Sequence, residues 1–380
     1  MISSCFVTEL QGQQKEIIGY YPSWKWRHKN SLMTHEKIPY NKLTIINYAF
    51  WYPMPDGKLV GRDTVGDNLI LKRVDGKPSM IDLAHKNNVK VMLSLGGWED
   101  SGNFPAVAAT STTRANFAHA CVNVIKEYGF DGIDIDWEYP GYADHNGTPA
   151  DKQNFTLLLK VTRDSLEAHG KKIGKKLLLT AALPASADGL VNYEIKQVAE
   201  LLDLLNIMTY DFNGSWSPMS GHNAPLFAPN KNDSLRNIDA SFRFYTKTLG
   251  ISPEKINLGI PFYGHTYTQC TSLNTSHNGA DTSLFLSAGA FYYDIIKHVD
   301  KFNRYWDASA KVPYLIIPGI KTLISYDDEE SVAYKAQYVI DNKVRGVIIW
   351  EITGDYLNDG TTPLLNVVHS KLNSGSGTKK

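Results

Sequence analysis

Cysteine is the first scarcity: 380 residues hold three, Cys5, Cys121 and Cys270. So small and odd a set excludes a disulfide framework. Cys121 sits at helical spacing from Phe117 and Ile125 and reads as a small core residue, while a Cys5–Cys270 bridge has no support in the sequence. Long apolar runs are missing as well. No stretch approaches the roughly 20 residues of a membrane helix. Met1–Leu10 lacks the charged start and apolar run of a secretory signal, so none is expected there. Neither sign of charge dominates, because 39 Lys and Arg cancel 39 Asp and Glu. With no dense basic run before Lys379-Lys380, a nucleic-acid or membrane-binding surface is not expected, and a neutral or modestly polar ligand fits better. A Gly-rich phosphate loop opening a helix is also absent.

What is present is apolar and aromatic: 43% hydrophobic residues, 8 Trp and 21 Tyr, several of them in loops after apolar runs, where flat rings offer stacking surfaces. A chain of this length forms either two ordinary domains or one barrel-sized domain with an insertion. Short β-branched runs recur at Ile17–Tyr21, Leu43–Phe50, Val89–Gly96, Gly132–Glu138, Leu177–Leu183, Leu204–Tyr210, Ile256–Tyr263 and Gly346–Ile352, most of them followed by a helical pattern. Eight β–α units predict an α/β fold, a closed (β/α)8 TIM barrel, with functional residues at the strand C-terminal ends. Those ends carry Tyr20-Tyr21, Phe50-Trp51, Gly96-Gly97-Trp98, Glu138-Tyr139, Tyr210-Asp211, Tyr263 and Trp350-Glu351. An open doubly wound sheet would instead gather its site at one switch point.

Periodicity predicts helices over Thr112–Tyr128, stopped by Gly129; Lys152–Ala168, ending near Gly170; Ser234–Leu249, stopped by Gly250; and Ser331–Asn342. Roughly seventy residues separate Tyr263 from the last of these, and connections that long carry structure of their own. Aromatic and β-rich pieces there predict a small α+β subdomain over 265–326, inserted between strands seven and eight and raising one wall of a groove. The barrel domain is expected over 15–372, with a flexible Gly/Ser-rich tail over 373–380.

One stretch stands apart. In Asp131-Gly-Ile-Asp134-Ile-Asp136-Trp-Glu138-Tyr-Pro140, Asp134, Asp136 and Glu138 recur at every second position of a strand pattern, while Ile133, Ile135 and Trp137 supply the other face. Buried like charges push one another's protonation upward, so at least one of the three is expected to hold a proton near neutral pH. Glu138, at the strand end, is the natural donor to a substrate. A strand end whose acids cap loops or pair with Lys and Arg is the alternative, and three acids in period two argue against it. His222 and His265 could be metal ligands beside this row. No His pair has ligand spacing, so neither a metal nor another cofactor is expected.

These residues resemble glycoside hydrolase family 18, the chitinases. Asp131 to Glu138 is similar to the family's DGxDxDxE signature, Ser94-Leu-Gly-Gly-Trp98 to its SxGG motif, Met208-Thr-Tyr-Asp211 to its sixth-strand motif and Trp350 to its eighth-strand tryptophan. The resemblance covers residues 17–356, and the insertion resembles the chitinase insertion domain. It implies a retaining chitinase acting on β-1,4-linked N-acetylglucosamine chains, in which the substrate's N-acetyl oxygen is the nucleophile and an oxazolinium forms. Glu138 would be the acid and then the base. Asp136 would orient the acetamido N–H, Asp134 would share a proton with Asp136, Tyr210 would donate to the acetamido oxygen and Asp211 would bond the distorted sugar. Trp350 would floor the site with Tyr20, Phe50 and Met208 beside it; Trp24 would serve the far donor side and Trp98 and Trp216 the acceptor side, and Tyr263 would also bind substrate. Asp131, off the acidic face, is expected to be structural.

One departure stands out: His265 follows Tyr263-Gly264 where the family often has Arg. The implied partners are chitin or chitooligosaccharides, met by an extracellular monomer, and five Asn-x-Ser/Thr sites at Asn146, Asn154, Asn213, Asn232 and Asn274 are compatible with secretion. Competing expectations are a chitin-binding, lectin-like protein on the same barrel and a family 18 endo-β-N-acetylglucosaminidase acting on N-glycans. A metal-dependent transferase is motivated only by the Asp-x-Asp spacing.

Overall fold

All eight apolar runs become parallel strands. The structure, a computed structural model, describes residues 14–27, 33–283, 285 and 289–374, with Asn232 described by its backbone alone. In chain order come β1 (Glu16–Pro22), β2 (Ile45–Pro53), a short β3 (Leu59–Gly61), β4 (Lys90–Gly96), β5 (Gly132–Asp136), β6 (Leu178–Pro184), β7 (Leu204–Met208) and β8 (Ile256–Pro261). They are followed by β9 (Tyr263–Thr268), β10 (Gly289–Phe291), β11 (Asn303–Asp307), β12 (Val312–Ile317), β13 (Thr322–Ser325) and β14 (Gly346–Trp350). Parallel pairing runs from β1 through β2, β4, β5, β6, β7, β8 and β14 and returns to β1, which closes an eight-stranded (β/α)8 barrel. β3 pairs antiparallel with β2 outside the ring.

Alternation along each strand explains two cores. Outward residues such as Ile17, Ile46, Val91, Ile133, Ile135, Leu205 and Val347 are buried together with Phe117, Cys121, Phe155 and Leu159 of the surrounding helices. Inward residues Ile18, Tyr20, Ile45, Phe50, Met92, Leu204 and Ile348 fill the barrel interior. Cys121 is fully buried in the outer layer, and Cys270 is a buried thiol donating to the Ser272 carbonyl. Cys5 and the tail beyond Ser374 lie outside the described residues. No described helix is long and apolar enough to cross a membrane.

Several boundaries depart from the periodicity. The fourth barrel strand, β5, ends at Asp136 and not at Glu138, because the chain turns there to bury Trp137 against Phe104, ring centroids 5.2 Å apart. The seventh ends at Pro261, and Tyr263 opens β9 in a different sheet. The helix expected over Lys152–Ala168 runs as Asp151–Ile173, passing Gly170 and stopping at Gly174, whose φ of 66° gives the left-handed C-terminal cap. In place of Ser234–Leu249 the helix is Ile238–Arg243, continued by a π-turn at Phe244–Thr248. Asn237 sets the later start by accepting the Ala240 N–H with its side chain, a cap typically worth about 1 kcal/mol.

Between β8 and β14 the chain builds a second, antiparallel sheet in the order β10, β9, β13, β12, β11, with a short helix at Tyr292–Ile296. Its strand β9 follows the end of β8 directly, so its first residues stand at the C-terminal mouth of the barrel.

Candidate active site

Asp134 and Asp136 project from β5 into the barrel, 0% and 4% exposed. The neighbouring strands put hydroxyls and amides around Asp134. Thr180 Oγ1 on β6 and Asn206 Nδ2 on β7 donate to its Oδ1 at 2.5 and 3.1 Å, and Ser94 Oγ on β4 and Tyr20 Oη on β1 donate to its Oδ2 at 2.8 and 2.9 Å. Asn206 is itself held, its Oδ1 accepting from Asn257 Nδ2 on β8 at 3.0 Å. Burial pushes the Asp134 carboxyl upward while these four donors pull it down.

Asp136 has no such support. Its Oδ1 is buried without a hydrogen-bond partner, and burial, then the charges of Glu138 and Asp134, drive its carboxyl well above the ordinary range. The donors favour charge on Asp134, so the proton of this pair resides on Asp136. Glu138 is pushed up to about 7, chiefly by burial and further by Asp211, against a hydrogen bond from Tyr139. Its backbone is clamped: the N–H donates to Ser101 Oγ at 2.8 Å, and the carbonyl accepts from His145 Nδ1 at 2.6 Å. Gly96 is needed beside it, since φ is 110° and an added Cβ would lie 2.2 Å from the Asp136 carbonyl oxygen.

Opposite this row stand Tyr210 and Asp211, just past β7, with Tyr263 and His265 of β9. Burial and the surrounding carboxylates raise the Tyr210 phenol well above its usual value, so it stays a hydrogen-bond donor. Asp211 adopts φ 58°, and its Oδ1 accepts from Tyr263 Oη at 2.6 Å, with His265 Nε2 2.7 Å from the same oxygen. The floor is aromatic: Trp350 stacks on Phe50 at 5.6 Å and 18°, and the Tyr20 ring meets Trp350 edge-on at 5.6 Å. Directly after it, Glu351 is buried in a 2.8 Å ion pair with Lys25. Trp98 and Trp216 are 48% and 62% exposed at the rim. A cleft of about 920 Å3 joins Asp136, Glu138, Tyr210, Asp211 and Tyr263 to Phe50, Trp98, Met208, Trp216 and Trp350.

The cleft thus lies at the C-terminal mouth of a parallel barrel, with acids and aromatic rings in its lining. Residues 16–355 match Glycosyl hydrolases family 18. The chain belongs to that family. It is similar to chitinase A1 of Niallia circulans, 36% identical over 397 aligned residues that take in 90% of this chain and 56% of that protein, so the chain spans little more than half of that relative. Chitinase 1 of Aphanocladium album is 31% identical, with 100% of this chain and 90% of that protein covered. The solved structure of the Ostrinia furnacalis Group IV chitinase in complex with allosamidin superimposes with a TM-score of 0.84 at 30% identity, covering 96% of this chain and all of that one.

Within this family 18 barrel the expected site residues take three positions. Those just named line the cleft. Asp134 and Tyr20 lie beneath it, joined to each other, with the Tyr20 ring packed under Phe50 and Trp350. Trp24 packs against Phe50 at 6.2 Å with Arg62 over its ring, and is not part of the cleft wall. Asp131 accepts from the Val91 N–H and contacts His85 Nε2, on the outside of the barrel. Among the described residues no group of three or more His, Cys, Asp or Glu is placed to hold a metal ion; His222 faces Asp307 and His265 faces Asp211.

Sequence reasoning missed Tyr139, Tyr142 and Arg236, which also line the cleft. Tyr139 and Tyr142 follow the acidic motif at once and pack on Trp98 at 6.4 and 5.5 Å, so adjacency to the motif was the available signal. Arg236 lies in a stretch with no periodicity to mark it.

Proposed function

We propose that the chain is a retaining chitinase that hydrolyses β-1,4-linked N-acetylglucosamine chains with the substrate's own acetamido group as nucleophile. The observation that carries this reading is the orphan Oδ1 of Asp136. A buried polar atom without a partner costs stability and calls for a donor. The N–H of an N-acetyl group lying on Trp350 supplies one, and does so best when the amide gains positive charge.

The steps follow from the geometry. Glu138, poised near neutrality, gives its proton to the glycosidic oxygen as the C1–O bond breaks. The acetamido carbonyl oxygen forms the new bond to C1, with Tyr210 donating to it, and Asp136 accepts the N–H of the resulting oxazolinium. Four donors keep negative charge on Asp134, which serves as the cation's counter-ion from behind Asp136. Water then attacks C1 as the bond from C1 to the acetamido oxygen breaks, and gives its proton to Glu138, which restores the acid and the free acetamido group and retains the anomeric configuration. Asp211, with one oxygen committed to Tyr263 and His265, bonds a sugar hydroxyl with the other. Trp98 and Trp216 stack the sugars beyond the cut.

The inserted sheet supplies Tyr263 and His265 to the wall, which suits a long polymer. We take residues 15–372 as one catalytic unit containing the insertion at 265–326, acting as an extracellular monomer. Turnover of chitin oligosaccharides by wild type and Glu138→Gln tests the reading. The glutamine variant should lose about 100- to 10,000-fold in kcat while still binding. Wild-type protein that binds and never cleaves would leave a lectin, and cleavage confined to N-glycan cores would leave an endo-β-N-acetylglucosaminidase.

A further inference from the structure

Asn223 does not itself line the cleft, yet all of its polar atoms are engaged, and three of them hold cleft residues. It is 0% exposed. Its Oδ1 accepts from the Asp211 N–H at 2.8 Å, and its Nδ2 donates to the Tyr263 carbonyl at 3.1 Å. Its own N–H donates to Ser325 Oγ at 2.8 Å, and its carbonyl accepts from the Phe212 N–H at 3.0 Å. One carboxamide therefore bridges the peptide groups of two cleft residues from different sheets: Asp211 follows β7 of the barrel, and Tyr263 opens β9 of the insertion.

Asp211 needs such a hold. Its φ of 58° is a left-handed conformation that a residue with a Cβ adopts only when its surroundings impose it. Its side chain is 45% exposed, so packing alone does not fix its direction. Tyr263 Oη and His265 Nε2 can both reach Asp211 Oδ1 only while the Asp211 backbone keeps its distance from β9. The Asn223 side chain spans that distance, with an acceptor at one end and a donor at the other.

We propose that Asn223 is a positioning residue: its carboxamide locks Asp211 in the left-handed conformation against β9 and so aims the Asp211 carboxylate at the sugar. Asn223 acts through Asp211, so this role rests on the sugar contact assigned to Asp211 above.

A double-mutant cycle separates the two roles. Wild type, Asn223→Ala, Asp211→Asn and the double variant are compared for kcat and KM on chitin oligosaccharides, with thermal melts recording that each is folded. Asn223→Ala should lower kcat by about 10- to 100-fold, the scale of a misplaced group. In the Asp211→Asn background the same change should cost less than about threefold, because the group it positions is gone. Asn223→Asp, which keeps the acceptor facing the Asp211 N–H, should recover part of the loss, and it carries the same cycle if the alanine variant does not fold. A loss that multiplies in full across the two backgrounds overturns the role of Asn223 alone. An Asp211→Asn enzyme with wild-type kcat and KM overturns the role of Asp211, and that of Asn223 with it.

Discussion

Asp134, Asp136 and Glu138 stand two positions apart and meet three different surroundings. Four donors surround Asp134, one oxygen of Asp136 is left unpartnered, and Glu138 is clamped by its backbone while its carboxyl is pushed up to about 7. On the proposed mechanism the same residue type thereby becomes a fixed charge, a waiting acceptor and a proton donor. An acid with a raised pKa is protonated below that value and ionised above it. Cleavage needs the protonated form of Glu138, so kcat/KM should fall about tenfold per pH unit once the pH rises beyond about 7. A pH–rate profile measured from pH 4 to 9 checks this, and a limb that keeps rising to pH 9 would remove Glu138 as the acid. The period-two acids were legible in the sequence because strand geometry alone sets their direction. Their differences were not, since Thr180 and Asn206 reach Asp134 from 46 and 72 residues away.

At the scale of the element, the site depends on how closely β4 passes β5. Gly96 and Gly97 have φ of 110° and 81°, and a Cβ on Gly97 would lie 2.5 Å from the Phe50 ring. Gly96→Ala should therefore destabilise the fold by about 2 kcal/mol or more and displace the Asp136 carbonyl, with lower Tm and lower kcat measured on the same preparation. An alanine variant with wild-type Tm would contradict the close approach. The eight strands were readable from their apolar runs, and the closing order follows from their number. Strand ends were less so: Pro261 and Tyr263 belong to one apolar run, yet the chain changes sheets between them. Helix starts set by a side-chain cap, as at Asn237, gave no periodic signal.

Across the whole molecule, several acids are buried with their carboxyls raised. Besides the acidic row of β5, Asp355 is pushed up to about 7 and Asp67 to about 6, both chiefly by burial. An acid whose folded-state pKa exceeds its unfolded value favours the fold while protonated. That contribution is complete below about pH 4 and is lost as the pH rises through 6 to 7. The protein should be more stable at pH 5 than at pH 8 by on the order of a few kcal/mol, and thermal melts across that range should show it as a higher Tm at pH 5. Equal Tm values at the two pH values would show that these acids titrate as they do in water.

The proposed mechanism has the substrate's acetamido group complete a site whose acids lie along one strand. Its most direct measurement compares chitin hexasaccharide with the glucosamine hexasaccharide of the same length, at one pH, following product anomers by NMR. The N-acetylated chain should be cleaved with β-anomeric products appearing first, and the glucosamine chain should show no cleavage above background. Cleavage of both at comparable rates, or α-anomeric products from the first, would contradict the account.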